Sequence, residues 1–169
     1  MRVLGVDPGS RRAGWAVLSG TAYHPELTAC GAIVLPERLA FEQRLAKLHD
    51  EMDAIVAAYR PTFAAVEAPF HGVSARSALQ LAHARGVILA SLGRAAVPVQ
   101  EYAPATIKKA VTGTGSAEKI QVQAMVARLL AVDHAFEGPD VADAAAAALC
   151  HLFGCGASAV WSRAGRRAR

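Results

Sequence analysis

The stretch VLGVDPGS, residues 3–10, decides the reading of this chain. Val3, Leu4, Gly5 and Val6 have the character of a buried strand, and that strand delivers Asp7 straight into a Pro-Gly-Ser turn. A carboxylate at the point where a strand leaves the core has three readings. Aspartate favours turns because its side chain hydrogen-bonds nearby backbone amides. It can also hold a metal ion, or the glycine turn can cradle a nucleotide phosphate. The rest of the chain has to choose.

Working outward, AGWAVLS (13–19) returns from the turn and LTACGAIVL (27–35) adds a third strand, so the chain begins as a meander that Pro36 ends. Leu45, Leu48, Met52, Ile55, Val56 and Tyr59 then recur at helical spacing, and the helix stops at Arg60-Pro61. TFAAVEAPF (62–70) reads as a short strand that brings Glu67 to its end before Pro69 breaks it. From Ser74 to Arg94 the pattern is helical, apolar on several faces and rich in small residues, as in a helix that serves a partner as well as the core. VPVQEY (97–102) is another strand. Ser116 is the expected N-cap of a helix carrying Val122, Met125, Val126, Leu129 and Leu130. A last helix starts at Gly138-Pro139-Asp140 and runs to about Phe153. This order predicts an α/β layered domain with an antiparallel start and later crossover strands.

Composition narrows the function classes. A chain of 169 residues, 53% hydrophobic and 19% charged, fits one globular domain over 1–156 and excludes a disordered protein. Asp7 and Pro8 interrupt the first apolar run before a signal peptide could form, and VADAAAAALCHLF is too short to span a membrane. A cytoplasmic protein is expected. Three cysteines form no zinc-type pairs and read as small, reduced core residues. The net charge of +4 comes from the end of the chain, where Arg163, Arg166, Arg167 and Arg169 stand without an acid. The fourteen remaining basic residues balance the fourteen acids, so residues 157–169 are read as a basic, disordered tail.

The acids gather at places with matching punctuation. Asp7 and Glu67 each end a strand, and Asp140 and Asp143 share one face of the last helix. In open α/β sheets, functional groups collect where strands end in loops. Four carboxylates meeting there would repel by about 4 kcal/mol per close pair at an effective dielectric of 20. No Lys or Arg lies beside Asp7 or Glu67 in sequence to relieve that. Divalent cations would relieve it, and oxygen-only ligands suit Mg²⁺ or Mn²⁺.

LGVDPGSRRAGWAV, AAVEAPF, QLAHARGVILA, TGTGSAEKIQVQAMVARLL and DVADAAAAALCH, in this order and spacing, resemble the RuvC-type Holliday-junction resolvases over nearly the whole chain. The resemblance implies a ribonuclease-H-like three-layer fold with a mixed five-stranded sheet flanked by helices. It implies a homodimer that resolves four-way DNA junctions by paired symmetric nicks, in recombination and repair, leaving 5′-phosphate and 3′-hydroxyl ends. The family's catalytic acids fall on Asp7, Glu67, Asp140 and Asp143, which would hold two Mg²⁺ or Mn²⁺ ions. Phe70 would stack on or wedge into the opened junction, and Lys108 and Lys119 would bind phosphate. Arg76 is a further phosphate contact by its charge, and His71 an auxiliary group near the acids. The helix from Ser74 to Arg94 would form the dimer, and the RuvA–RuvB branch-migration machine would be the working partner.

Three rivals remain at this stage. An actin-like nucleotide-binding domain also opens with a strand and an Asp-x-Gly turn, but needs a second such domain for which there is no room. A junction-binding module without activity sits badly with clustered acids, which repel DNA phosphates. A related nuclease acting on RNA shares the acids, while the GTGSAEK segment fits the DNA resolvases better.

Overall fold

The computed structural model describes residues 1–68, 74–132 and 136–164, with side chains as far as Gly154. Its elements run β1 (Arg2–Asp7), β2 (Arg12–Gly20), β3 (Pro25–Val34), α1 (Phe41–Tyr59), β4 (Phe63–Glu67), α2 (Ala75–Arg94), β5 (Val99–Tyr102), α3 (Pro104–Thr112), α4 (Lys119–Leu129) and α5 (Pro139–Ala164). The five strands make one mixed sheet in the order β3-β2-β1-β4-β5. β1, β2 and β3 pair antiparallel, and β1, β4 and β5 pair parallel.

The alternation of side chains along each strand builds a core on each face of this sheet. Leu4 and Val6 of β1, with Ala64 and Val66 of β4, pack against Leu48, Met52 and Ile55 of α1 and Ile88 and Leu92 of α2. Val3 and Ala65 point the other way, onto the buried alanines of α5. Three layers result, with α1 and α2 below the sheet and α5, α3 and α4 above it. Tyr59 ends α1, and the left-handed Arg60 caps it with an N–H donated to the Val56 carbonyl, one residue before Pro61.

The α5 helix is seated unusually deep. Ala144 to Ala148 and Leu149 are all buried, as expected of a helix covered on every side. Beneath it, Gly5 of β1 and Gly14 of β2 carry no Cβ. One added at Gly5 would stand 1.9 Å from the Ala144 carbonyl oxygen, and one at Gly14 would stand 2.0 Å from that of Asp140. Main chain therefore rests on main chain at both points, a contact that only glycine permits.

Three expectations from the sequence need correction. The helix α3 was not foreseen, because Ile107 and Val111 give its nine residues only one buried i,i+4 pair, too little for a periodic signal. Glu118, not Ser116, is the N-cap of α4; the Ser116 hydroxyl instead pairs with that of Thr114 within the TGTGS turn. The last helix continues past Phe153 to Ala164, into the segment read as a tail, since no proline stands in its way. Among the described residues no helix is long and apolar enough to cross a membrane. Cys30 and Cys150 are free thiols, and burial pushes the Cys150 thiol up to about 11.

Candidate active site

Strand register builds the site. β1 and β4 are parallel neighbours with Val6 opposite Val66, and the next residue of each strand is an acid, Asp7 and Glu67. Alternation puts both on the same face as Val3 and Ala65, the face that α5 covers. On the other side of β1, Asp7 stands opposite Gly14 in the antiparallel ladder. Gly14 is the residue on which the Asp140 main chain sits, so the bare glycine brings the first turn of α5 down beside the strand ends.

The electrostatics show how close the gathering is. Burial first, then Glu67, Asp143 and Asp140, push the Asp7 carboxyl up to about 8. Glu67 is raised by burial and by Asp143, an effect partly offset by Lys119 and by a hydrogen bond from the Asp7 carboxyl. The proton that Asp7 retains is the one it donates to Glu67 in that hydrogen bond. A cleft of about 250 Å³ is lined by Asp7, Glu67, Arg85, Lys119 and Asp143. A second recess of about 180 Å³, between Glu67, Lys108, Lys119 and Asp143, adjoins it.

The missing positive charge arrives from elements distant in sequence. Lys119 Nζ lies 2.6 Å from Asp143 Oδ2. Burial lowers the Lys119 ammonium, but Asp143, with Asp7 and Asp140, outweighs that and holds it above its ordinary value. Arg12 Nε lies 3.1 Å from Asp140 Oδ2. Three arginines also donate to carbonyls at the acid-bearing segments: Arg85 to Glu67 (2.6 Å), Arg44 to Ser10 (3.1 Å) and Arg12 to Glu137. Arg85, almost fully buried, pairs in addition with Glu101 of β5 at 2.6 Å. With Asp140 and Asp143 drawn towards Arg12 and Lys119, the four acids face one another without closing on a point. Among the described residues no three carboxylates, imidazoles or thiols are near enough to enclose an ion.

The other sequence expectations divide. Lys108 and Lys119 both reach the cleft, Lys108 from the unforeseen α3. Arg76 stands exposed on the first turn of α2 and does not line the acid cleft. Phe70 and His71 lie outside the described residues. Reading the sequence missed Arg12, Arg44 and Arg85, because each works through a contact with a residue far away in the chain, which no local pattern announces.

The family model described as crossover junction endodeoxyribonuclease RuvC matches residues 3–151. This chain belongs to the RuvC family. The RuvC of Sorangium cellulosum is 43% identical over 173 residues, covering 100% of this chain and 96% of that one. The RuvC of Bordetella pertussis is 45% identical over 151 residues, covering 89% and 82%. Among solved structures, Thermus thermophilus RuvC in complex with a Holliday junction substrate superposes with a TM-score of 0.89 at 30% identity, covering 94% of this chain and 96% of that one. The fold is accordingly the ribonuclease-H-like one, and the chain is a RuvC-type endodeoxyribonuclease of a metal-dependent family.

The glycine seat gives a direct test of how this RuvC chain sets its site. Gly14→Ala forces the start of α5 away from β2, at a cost of about 1–3 kcal/mol in stability. If the acids of α5 are catalytic, nicking of a four-way junction should fall roughly a hundredfold, the cost of displacing such a group by about 1 Å. Thermal melting and nicking rates measured together separate the two effects.

Proposed function

We propose that Asp7, Glu67, Asp140 and Asp143 hydrolyse DNA phosphodiesters at Holliday junctions, in recombination and repair. The observation that carries this reading is the convergence of two adjacent strand ends with the first turn of α5, which brings Asp7, Glu67 and Asp143 to one cleft and sets Asp140 near enough to act on Asp7 by its charge. The donor set fits a hard divalent cation: every side chain in it offers carboxylate oxygens, and burial, then the charge of Glu67, Asp143 and Asp140, makes Asp7 keep its proton to about 8. Mg²⁺ or Mn²⁺, two per site, held by these acids would supply Lewis acidity to the scissile phosphate and lower the pKa of the attacking water.

The chain's own groups do the positioning. Asp7 would give up the proton it holds against Glu67 on binding a cation. Arg85 fixes the Glu67 main chain and the end of β5 in one buried contact. Lys108 and Lys119 rim the cleft, where a phosphate crossing from one recess to the other would meet both ammonium groups. Phe70 and Arg76, one following β4 and the other at the start of α2, are assigned to the junction's bases and phosphates. The products are 5′-phosphate and 3′-hydroxyl ends. Cooperation with a RuvA–RuvB complex in the cytoplasm is part of the same proposal and is supported by family membership.

Paired nicks need two copies, and α2 supports a homodimer. Its inner face packs Ala84, Ile88 and Leu92 into the core, while Ala78, Leu79, Ala82, Gly86 and Ala90 line up along the exposed face. A stripe of small residues lets two helices approach closely, and two-fold symmetry would match that of a junction. Nothing lies within 4 Å of the position a Cβ would take at Gly86. Gly86→Arg is therefore expected to leave the fold intact, to give a monomer in sedimentation, and to replace paired nicks by none or single ones.

The function itself is tested by incubating the protein with a four-way junction, a linear duplex and a structured RNA, in Mg²⁺ or in Mn²⁺. Symmetric nicks confined to the junction are expected. Preferential cutting of the RNA would sink the assignment.

A further inference from the structure

Arg12 opens β2, paired in the ladder with Val34, and its side chain reaches over the start of α5. Nη2 donates to the Glu137 carbonyl, and a Cβ at Gly138 would stand 3.2 Å from that nitrogen, so the guanidinium lies flat against the turn. Nε is 3.1 Å from Asp140 Oδ2 yet makes no aligned hydrogen bond there. The directed bond holds the arginine to the main chain, and the contact with Asp140 is one of charge. Both partners are partly open, with side-chain exposures of 37% and 29%, so the guanidinium has room to withdraw from the carboxylate.

We propose that Arg12 is the internal counter-cation of the active site. It neutralises Asp140 until a divalent ion takes that carboxylate, and so it sets the ion concentration at which the site fills. The inference rests on the four acids being a metal centre. A guanidinium and a divalent cation drawn to the same carboxylate repel each other, so the arginine opposes loading even while it steadies the helix start. Lys119 bears on Asp143 in the same sense, but it also faces the second recess, where a phosphate can take it over. Arg12 lines neither part of the cleft and has no such second occupation among the described residues.

The test titrates the full-length, metal-free protein with Mn²⁺ by calorimetry at fixed ionic strength. Arg12→Gln is expected to bind Mn²⁺ roughly tenfold more tightly than the wild type, the size of effect seen when a partner of a metal ligand is changed. Arg12→Lys, which keeps the charge, should bind like the wild type. Asp7→Asn should lose the binding altogether, placing it in the acid cleft. Unchanged or weaker binding by Arg12→Gln, with wild-type binding still dependent on Asp7, overturns the role of Arg12 alone. Absence of Asp7-dependent binding in the wild type overturns the metal centre as well. If Arg12→Gln does not fold, the wild-type protein still decides. Its Arg12 Nε–H resonance, assigned from the spectrum of Arg12→Lys, should shift on saturation with Mg²⁺, and an unmoved signal sinks the proposal.

Discussion

Asp7→Asn is expected to cut four-way junctions at least ~1,000-fold more slowly than the wild type while still binding them. In the proposed mechanism Asp7 is a ligand on which both water activation and phosphate polarisation depend, so its loss should raise the barrier by several kcal/mol. DNA affinity moves the other way if it moves at all, since one fewer negative charge faces the phosphates. Glu67→Gln, Asp140→Asn and Asp143→Asn should behave alike, because the acids act as a set and single losses in such sets are not additive. Gel-shift and nicking assays on the same preparations check this. Parallel loss of binding and cutting would instead indicate misfolding.

The second large effect is on stability. Asp7 titrates near 3.8 in a free chain and at about 8 in the folded protein, so between those values the folded form holds a proton that the unfolded form has lost. Metal-free protein must therefore lose stability as pH rises, by up to about 1.4 kcal/mol per unit and by several kcal/mol in all before the curve flattens above pH 8. Glu67, also raised, adds in the same direction. Burial lowers His151, which works in the opposite sense as pH falls below about 6.5. The decline due to the acids is thus isolated between pH 6.5 and 8. Denaturant midpoints measured across that window should fall steeply for the wild type and less for Asp7→Asn, where only Glu67 still contributes, so that the variant becomes the more stable protein at pH 8. Mg²⁺ should raise the melting temperature more at pH 8 than at pH 6, and not in Asp7→Asn. A flat wild-type profile would show that Asp7 is not held in its protonated form.

Much of this was legible in the residues alone, for definite reasons. β1 and β4 are short apolar runs cut off by an acid and then a proline, signals that are complete within a few residues. Period-two alternation then fixes which face each acid joins once the strands are parallel neighbours. The DxxD pair announced itself by helical spacing. What stayed hidden was relational. Gly5 and Gly14 look like ordinary strand glycines until α5 is laid across them. Arg12, Arg44 and Arg85 read as surface charges until the fold carries them to carbonyls beside the acids. α3 is too short to show a period, although it brings Lys108 to the cleft. No Lys or Arg neighbours Asp7 or Glu67 in sequence, and the relief that Lys119 gives both in space could not be read from the chain order.

The bare seat beneath α5 has a consequence for anyone wishing to retune the enzyme. Backbone contact at Gly5 and Gly14 sets the gap between the strand that carries Asp7 and the helix that carries Asp140 and Asp143, and since glycine is already the smallest residue, a substitution in that contact can only push the two apart. Mutation there can loosen the proposed metal centre but has no means of tightening it.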